Sequence, residues 1–136
     1  MTMRAMKMVA AARACLGARF RSQGRDPLIG LDCLGLALVA LRAGGMTGGA
    51  PADYRLRGDH LARLVAGLAA VGLERVDRLQ PGGLVVMETG PMQWHLAIWT
   101  GSGLIHADAQ LGRVVEMPGP PCWPVCAIWA WPKGDK

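Results

Sequence analysis

Apolar positions in the first half of the chain recur at helical spacing. Residues 3–17 place basic side chains between apolar ones and end at a glycine, which is typical of a helix C-terminus. Residues 33–43 are apolar on every side and follow Asp32, a favourable N-cap, so we expect a buried helix there. A third helix is expected over residues 60–71, after the N-cap candidate Asp59.

The second half of the chain has the pattern of strands. Short runs rich in β-branched and aromatic residues are separated by Gly and Pro, at residues 84–88, 94–100, 103–109, 113–117 and 126–131. Residues 18–30, rich in Gly, Pro and charge, are expected to form an exposed loop. Helices followed by an antiparallel sheet indicate an α+β fold, with the cysteine-bearing helix packed on a C-terminal sheet.

Composition favours one domain with a substantial core. The chain has 136 residues, of which 51% are hydrophobic and 18% charged, so residues 1–136 are expected to fold as a single domain. No apolar run reaches the roughly 18–20 residues that cross a bilayer, so no membrane span is expected. Basic residues interrupt the N-terminal segment, and we therefore expect no signal peptide.

The charge balance narrows the class of partner. The net charge is +5 and the isoelectric point is about 9.5, values that suit nucleic acid, a membrane surface or an anionic polymer such as cell wall. Nucleic-acid readers carry a dense basic stripe or aromatic stacking platforms, whereas the arginines here are scattered singly. We expect no specific nucleic-acid partner.

The four cysteines do not form a disulfide framework in a chain of this length. Cys122 and Cys126 are separated by three residues, one of them proline, and no second Cys/His pair at ligand spacing accompanies them. We therefore expect structural thiols, with a local disulfide as the alternative. No metal or cofactor is expected.

The segment "GLDCLGL" contains the candidate nucleophile, Cys33. The first turn of a helix carries unpaired N–H groups and partial positive charge, which would lower the pKa of this thiol from about 8.5. The backbone N–H of Cys33 would also stabilise an oxyanion on a bound carbonyl. Gly35, with no side chain, allows another backbone or a substrate to approach. The alternative is that Cys33 is a small core residue.

A cysteine nucleophile needs a base, and the chain has three histidines. His60 opens a predicted surface helix. His95 and His106 lie on neighbouring predicted strands of a hairpin, where they are expected to be close to directly opposite each other, ~5 Å apart at Cβ. One imidazole would then orient the other. Asp108, two residues beyond His106, is an alternative orienting group, and structural roles for the histidines remain the competing interpretation.

The set "DCLGL", "PGGLVVMETGPMQWHLAIWTG" and "GLIHADA" resembles the NlpC-type papain-like cysteine peptidases of bacteria and their phages. The stretch "RFRSQGRDPLIGLDCLGL" resembles in particular the phage branch, found in tail-tip modules of prophages and gene transfer agents. The segment "APADY", with Tyr54, is also similar to the family pattern. The resemblance spans about residues 5–132.

This resemblance implies a papain-like fold with Cys33 as nucleophile, His95 as base and His106 as the orienting residue. It implies hydrolysis of an amide in peptidoglycan stem peptides, typically the bond from D-glutamate to a diamino acid. The protein would be made in the bacterial cytoplasm and would act in the tail tip of a phage-like particle during DNA delivery. Its partners would be peptidoglycan peptide and other tail-tip proteins.

Two positions depart from the family pattern. Phe20 stands where members usually carry a tyrosine, and a phenyl ring donates no hydrogen bond, which would cost ~1–3 kcal/mol in the interactions of the site. Gly83 replaces the usual acid before the first histidine strand, a position more structural than chemical.

Two other functions are compatible with these residues. One is a structural tail-tip subunit on a peptidase fold with little or no catalysis, favoured by Phe20 and by the tryptophans of the last third, which suit either core packing or an interface. These are Trp94, Trp99, Trp123, Trp129 and Trp131. The other is a cytosolic amidase or acyltransferase that uses the same three residues.

Overall fold

Three helices and eight strands follow one another in a computed structural model that describes residues 1–47 and 60–132. The helices are α1 (Met3–Ala14), α2 (Cys33–Ala43) and α3 (His60–Ala70). The strands are β1 (Arg25–Asp26), β2 (Gly30–Leu31), β3 (Glu74–Val76), β4 (Leu84–Gly90), β5 (Gln93–Trp99), β6 (Gly103–Asp108), β7 (Arg113–Pro118) and β8 (Val125–Ala130). Tyr54, Asp59 and the side chain of His60 lie outside the described residues.

The predicted helix around the cysteine forms over the expected residues. Its N-cap is Asp32, whose carboxylate accepts the N–H of Gly35 at 2.8 Å. The helix ends before Gly44, and Gly45 then takes a φ of +103°, which suits glycine. Seven of its eleven residues are buried, because helices α1 and α3 and the sheet surround it.

The strands from β3 onward form one antiparallel sheet with the order β3-β8-β4-β5-β6-β7. One face packs against the helices and forms the main core, which includes Leu96, Ile98 and Ile105. The opposite face carries a smaller apolar cluster of Val85, Met87, Ala97 and Leu104. Side chains alternate along a strand, so each strand of the sheet contributes to both faces.

The structure differs from the sequence-based prediction at one helix end and in three short strands, all of which involve contacts beyond the local sequence. Helix α1 ends at Ala14 rather than residue 17, because the N–H of Gly17 donates to Val114 in β7. The expected loop over residues 18–30 contains the small β1–β2 hairpin. Strand β3 was not predicted; it is short, largely exposed at the sheet edge and has no alternating pattern.

Candidate active site

Cys33 is the first residue of α2, the position that its sequence indicates. The Asp32 carboxylate accepts a hydrogen bond from the N–H of Gly35, and the Asp32 carbonyl oxygen accepts one from the N–H of Leu36 at 3.0 Å. The first N–H groups of a helix have no partner within it, and those of Cys33 and Leu34 point toward the Cys33 sulfur, where they favour negative charge.

The sulfur of Cys33 lies where β5 and β6 separate. These two strands pair only near their turn, at Ile98 with Ile105 and Trp99 with Leu104. The N–H of Leu96, which would continue this ladder, instead points at the Cys33 sulfur and favours its anion. Because Leu96 follows His95 directly, the nucleophile candidate and the base candidate both adjoin this gap in the sheet.

His95 and His106 are in direct contact. Nε2 of His95 lies 2.8 Å from Nδ1 of His106, and the two rings are perpendicular with centroids 5.0 Å apart. Both side chains project from the face of the sheet that carries Ala97 and Leu104, two residues along each strand.

The expected pairing of the histidines is wrong in register. The observed register, extended along the strands, places His106 opposite Ala97 and His95 opposite Asp108. The two imidazoles are therefore diagonal neighbours, a separation that ring side chains bridge. The turn spans Thr100 to Gly103, where Thr100 N–H donates to the Gly103 carbonyl at 2.9 Å.

Asp108 does not orient either histidine. Its carboxylate accepts the N–H groups of Gln110 at 2.8 Å and Leu111 at 2.9 Å, which stabilises the turn before β7. Its charge favours the protonated form of both imidazoles, but burial opposes protonation more strongly. Of the two predicted orienting groups, His106 is the one in contact with His95.

An open cleft of about 1000 Å³ brings the three predicted residues together. Cys33, His95 and His106 all line it, with Phe20 on its wall. The aromatic ring of Phe20 thus lies at the site, as the resemblance implies for the residue at this position. Other lining groups include Gln23, Gln93, Trp94, Asp108 and Gln110.

The protonation state of the site differs from the prediction. Burial raises the pKa of the Cys33 thiol to about 12, and the charge of Asp32 raises it further. The N–H groups of Leu96, Leu34 and Cys33 itself act in the opposite direction but are outweighed. The expectation of a lowered pKa is wrong, because desolvation of the anion exceeds the effect of the helix N-terminus.

The imidazoles are also neutral in the free protein. Burial, followed by repulsion from His106, lowers the pKa of His95 to about 4, and burial lowers that of His106. Within the described residues, no hydrogen bond joins the Cys33 thiol to either ring. The resting site therefore holds a neutral thiol beside neutral imidazoles rather than an ion pair.

Asp32 also connects the helix to the preceding loop. Besides Gly35, its carboxylate accepts a guanidinium N–H of Arg25 at 2.8 Å and the N–H of Gln23 at 2.8 Å. A methyl group at Gly35 would collide with the carbonyl oxygen of Gly24, so this glycine allows the close approach of a second backbone. These contacts hold the wall of the cleft formed by residues 22–23 against α2.

Two residues of the site were not identified from the sequence. Trp123, for which the sequence leaves core packing and an interface both open, lies edge-on to both histidines at centroid distances of 5.6 Å. Met117 places its Sδ atom 2.9 Å from Nε2 of His106. Neither had a local signal except strand alternation, which puts Met117 on the face of its partner Leu104.

The other cysteines and tryptophans singled out in the sequence lie outside this site or pack in the core. All four cysteines are free thiols, so the local disulfide between Cys122 and Cys126 is not formed. Trp129 is buried in the core, and the ring of Trp131 packs beneath the Arg4 guanidinium at 4.2 Å. Across residues 1–47 and 60–132 there is no cluster of three potential metal ligands, and no helix with the length and hydropathy of a membrane span.

Solved structures with the same fold were found by comparison with known proteins. No protein-family model and no curated protein matches the sequence. NlpC1 and NlpC2 from Trichomonas vaginalis are 19% and 17% identical, each with a TM-score of 0.69 and each aligned with 93% of this chain. The chain covers 44% and 48% of those two structures and so spans about half their length.

A third solved structure has nearly the same length as this chain. The NlpC/p60 domain of the peptidoglycan hydrolase SagA is 20% identical, with a TM-score of 0.60, and the match covers 93% of this chain and 97% of that domain. These likenesses concern the fold. The chain has the mixed helix and antiparallel-sheet fold of NlpC/p60 domains, as the sequence predicted.

Proposed function

We propose that this chain is a cysteine hydrolase that cleaves an amide bond in peptidoglycan stem peptides. The observation that carries the proposal is the 2.8 Å contact between His95 and His106 in the same cleft as Cys33. A thiol at a helix start, an imidazole beside it and a second group that orients this imidazole are the parts of an acyl-transfer site.

The geometry supports a reaction through an acyl-enzyme. Nδ1 of His95, the ring nitrogen not engaged by His106, accepts the thiol proton as Cys33 Sγ bonds to the carbonyl carbon. The N–H groups of Cys33 and Leu34 stabilise the oxyanion. The C–N bond then breaks, and His95 returns the proton to the amine that leaves.

Water completes the cycle on the same residues. His95 removes a proton from a water molecule as the water oxygen attacks the thioester carbon. The C–S bond breaks, the peptide leaves as a carboxylic acid, and the proton returns to the Cys33 sulfur. His106 accepts the Nε2–H of His95 throughout and stabilises the transient imidazolium.

Neutral resting groups are compatible with this sequence of steps. With its pKa lowered to about 4, His95 is unprotonated at neutral pH and one of its ring nitrogens has a lone pair. The half-buried thiol, whose pKa is raised, does not ionise first, so its proton transfers as the sulfur attacks.

The proposed substrate and location are supported by the resemblance and by the net charge. SagA, whose domain shares this fold, is described as a peptidoglycan hydrolase. A net charge of +5 suits an anionic wall polymer. We propose the bond from D-glutamate to a diamino acid as the target and the tail tip of a phage-like particle as the location, supported by the motif over residues 19–36.

A second candidate is a structural tail-tip subunit with weak or no catalysis. Phe20 lines the cleft without a hydroxyl, and the raised pKa of Cys33 lowers the fraction of the nucleophilic thiolate. Both features reduce catalytic power.

Cys33→Ala separates the two functions. We expect purified wild-type protein to release new amines from peptidoglycan and Cys33→Ala to release none, whereas Cys122→Ala, which changes an exposed thiol, keeps wild-type activity. Equal release by wild type and Cys33→Ala would refute the nucleophile assignment. If both also support particle assembly and infection equally, the structural function is the correct one.

A further inference from the structure

We propose that Met117 sets the protonation pattern of the paired histidines and thereby leaves the base nitrogen of His95 free. The inference rests on the hydrolase function proposed above and assigns a positioning residue to its site. It starts from the position of Met117 Sδ, 2.9 Å from Nε2 of His106.

The thioether sulfur of Met117 can only accept a hydrogen bond, which restricts the tautomer of His106. A thioether has lone pairs and no hydrogen to donate, so Met117 acts only as an acceptor. Nε2 of His106 must therefore carry the proton for the contact to be a hydrogen bond. The opposite tautomer would place the nitrogen lone pair against those of sulfur at 2.9 Å, which is repulsive.

The tautomer of His106 determines the tautomer of His95. A neutral imidazole with its proton on Nε2 has a lone pair on Nδ1. Nδ1 of His106 consequently accepts across the 2.8 Å contact, and Nε2 of His95 donates. His95 is neutral as well, so its own Nδ1 holds the lone pair that takes the thiol proton. The reverse order would leave a proton on this nitrogen and block it.

The sheet places Met117 where it can act in this way. His106 pairs with Val115 and Leu104 pairs with Met117, so Met117 is the diagonal neighbour of His106 on the same face. His106 is 1% exposed, which limits water as a competing partner for Nε2. In the described residues, Met117 is the group in hydrogen-bond contact with that atom.

The test reads tautomers directly by nitrogen NMR of protein labelled in its histidine rings. In resting wild type at pH 7 we expect protonated Nε2 and unprotonated Nδ1 for both His95 and His106. Met117→Leu, which keeps an apolar side chain of similar size, should give a mixture of tautomers at His106 and lower kcat about fivefold to tenfold with KM little changed.

Met8→Leu is the matched control, because Met8 Sδ also accepts a ring N–H, from Trp131 at 3.2 Å, but in the helix core. It should leave the histidine tautomers and kcat unchanged.

Protonated Nδ1 on His106 in wild type, or unchanged tautomers in Met117→Leu, would overturn the role of Met117 whatever the activity. If wild type shows the expected tautomers but hydrolyses no peptidoglycan, the hydrolase proposal fails and the assignment of Met117 stands.

Discussion

Nε2 of His95 and Nδ1 of His106 lie 2.8 Å apart although the two residues are offset by two positions in the register of β5 and β6. The turn from Thr100 to Gly103 fixes this register. The ladder between the two strands stops at Ile98 and Ile105, and beyond that point the N–H of Leu96 faces the Cys33 sulfur at the start of α2. The paired histidines and the nucleophile candidate therefore lie at the part of the sheet where β5 and β6 are not paired.

Replacing His106 should affect turnover more than binding. His106→Leu removes the acceptor for His95 Nε2–H, and we expect kcat for amine release to fall about 100-fold with KM nearly unchanged. His106→Asn keeps an acceptor and should lose less. His60→Ala, the third histidine, is the control. Equal activity of His106→Leu and wild type would remove His106 from the mechanism.

Alkylation of Cys33 should keep accelerating with pH. The thiolate is the reactive form, and burial raises the pKa of Cys33 to about 12, so the anionic fraction rises about tenfold per pH unit through pH 9. Iodoacetamide labelling followed by peptide mass spectrometry measures this rate, with exposed Cys122 as the internal comparison. A plateau below pH 9 would indicate an ion pair with His95.

Asp32 and Arg25 should influence Cys33 in opposite directions. Asp32→Asn removes the negative charge that disfavours the thiolate, so alkylation at pH 8 should be faster than in wild type. Arg25→Ala removes the cation 2.8 Å from that carboxylate and should make alkylation slower. Changes of the same sign in the two variants would show that charge is not the cause.

The paired histidines should make the fold sensitive to acid. The pKa of His95 is about 4 in the folded chain and 6.5 when unfolded, so the unfolded state binds the proton first. Stability is complete above pH 6.5 and decreases as the pH falls toward 4, by about 2–3 kcal/mol at pH 4.5. Urea unfolding at pH 7 and pH 4.5 measures the loss.

His95→Gln cannot titrate and is the reference for this experiment. The variant should lose less stability than wild type between the two pH values, the difference being the contribution of His95. An identical loss in both proteins would contradict the lowered pKa.

Gly35→Ala should destabilise the fold although alanine favours helices. The added methyl group collides with the Gly24 carbonyl oxygen, a backbone atom that moves only if the 22–24 loop leaves α2. We expect a decrease of about 2–3 kcal/mol in the free energy of unfolding. Gly90→Ala, whose methyl meets the flexible side chain of Gln93, should change it little, as thermal melts would show.

The elements of the fold were largely predictable because they depend on neighbours in sequence. The N-cap Asp32 and the apolar run behind it define α2, and alternation with glycine and proline breaks defines β4 to β8. The same local logic placed Cys33 at a helix start. No local pattern predicts strand β3, because its three residues are stabilised by pairing with β8, which is 52 to 56 positions away in the sequence (Glu74 pairs with Ala130 and Val76 with Ile128).

Local sequence patterns specify the α+β order of elements, the residue types at the site and the side of each strand on which His95 and His106 project. The chemistry of these residues depends instead on how the chain folds. Burial of Cys33 and His95 sets their protonation, and Met117 and Trp123 reach the histidines from β7 and from the segment before β8. Desolvation and hydrogen bonding depend on groups distant in sequence, so no local pattern encodes them.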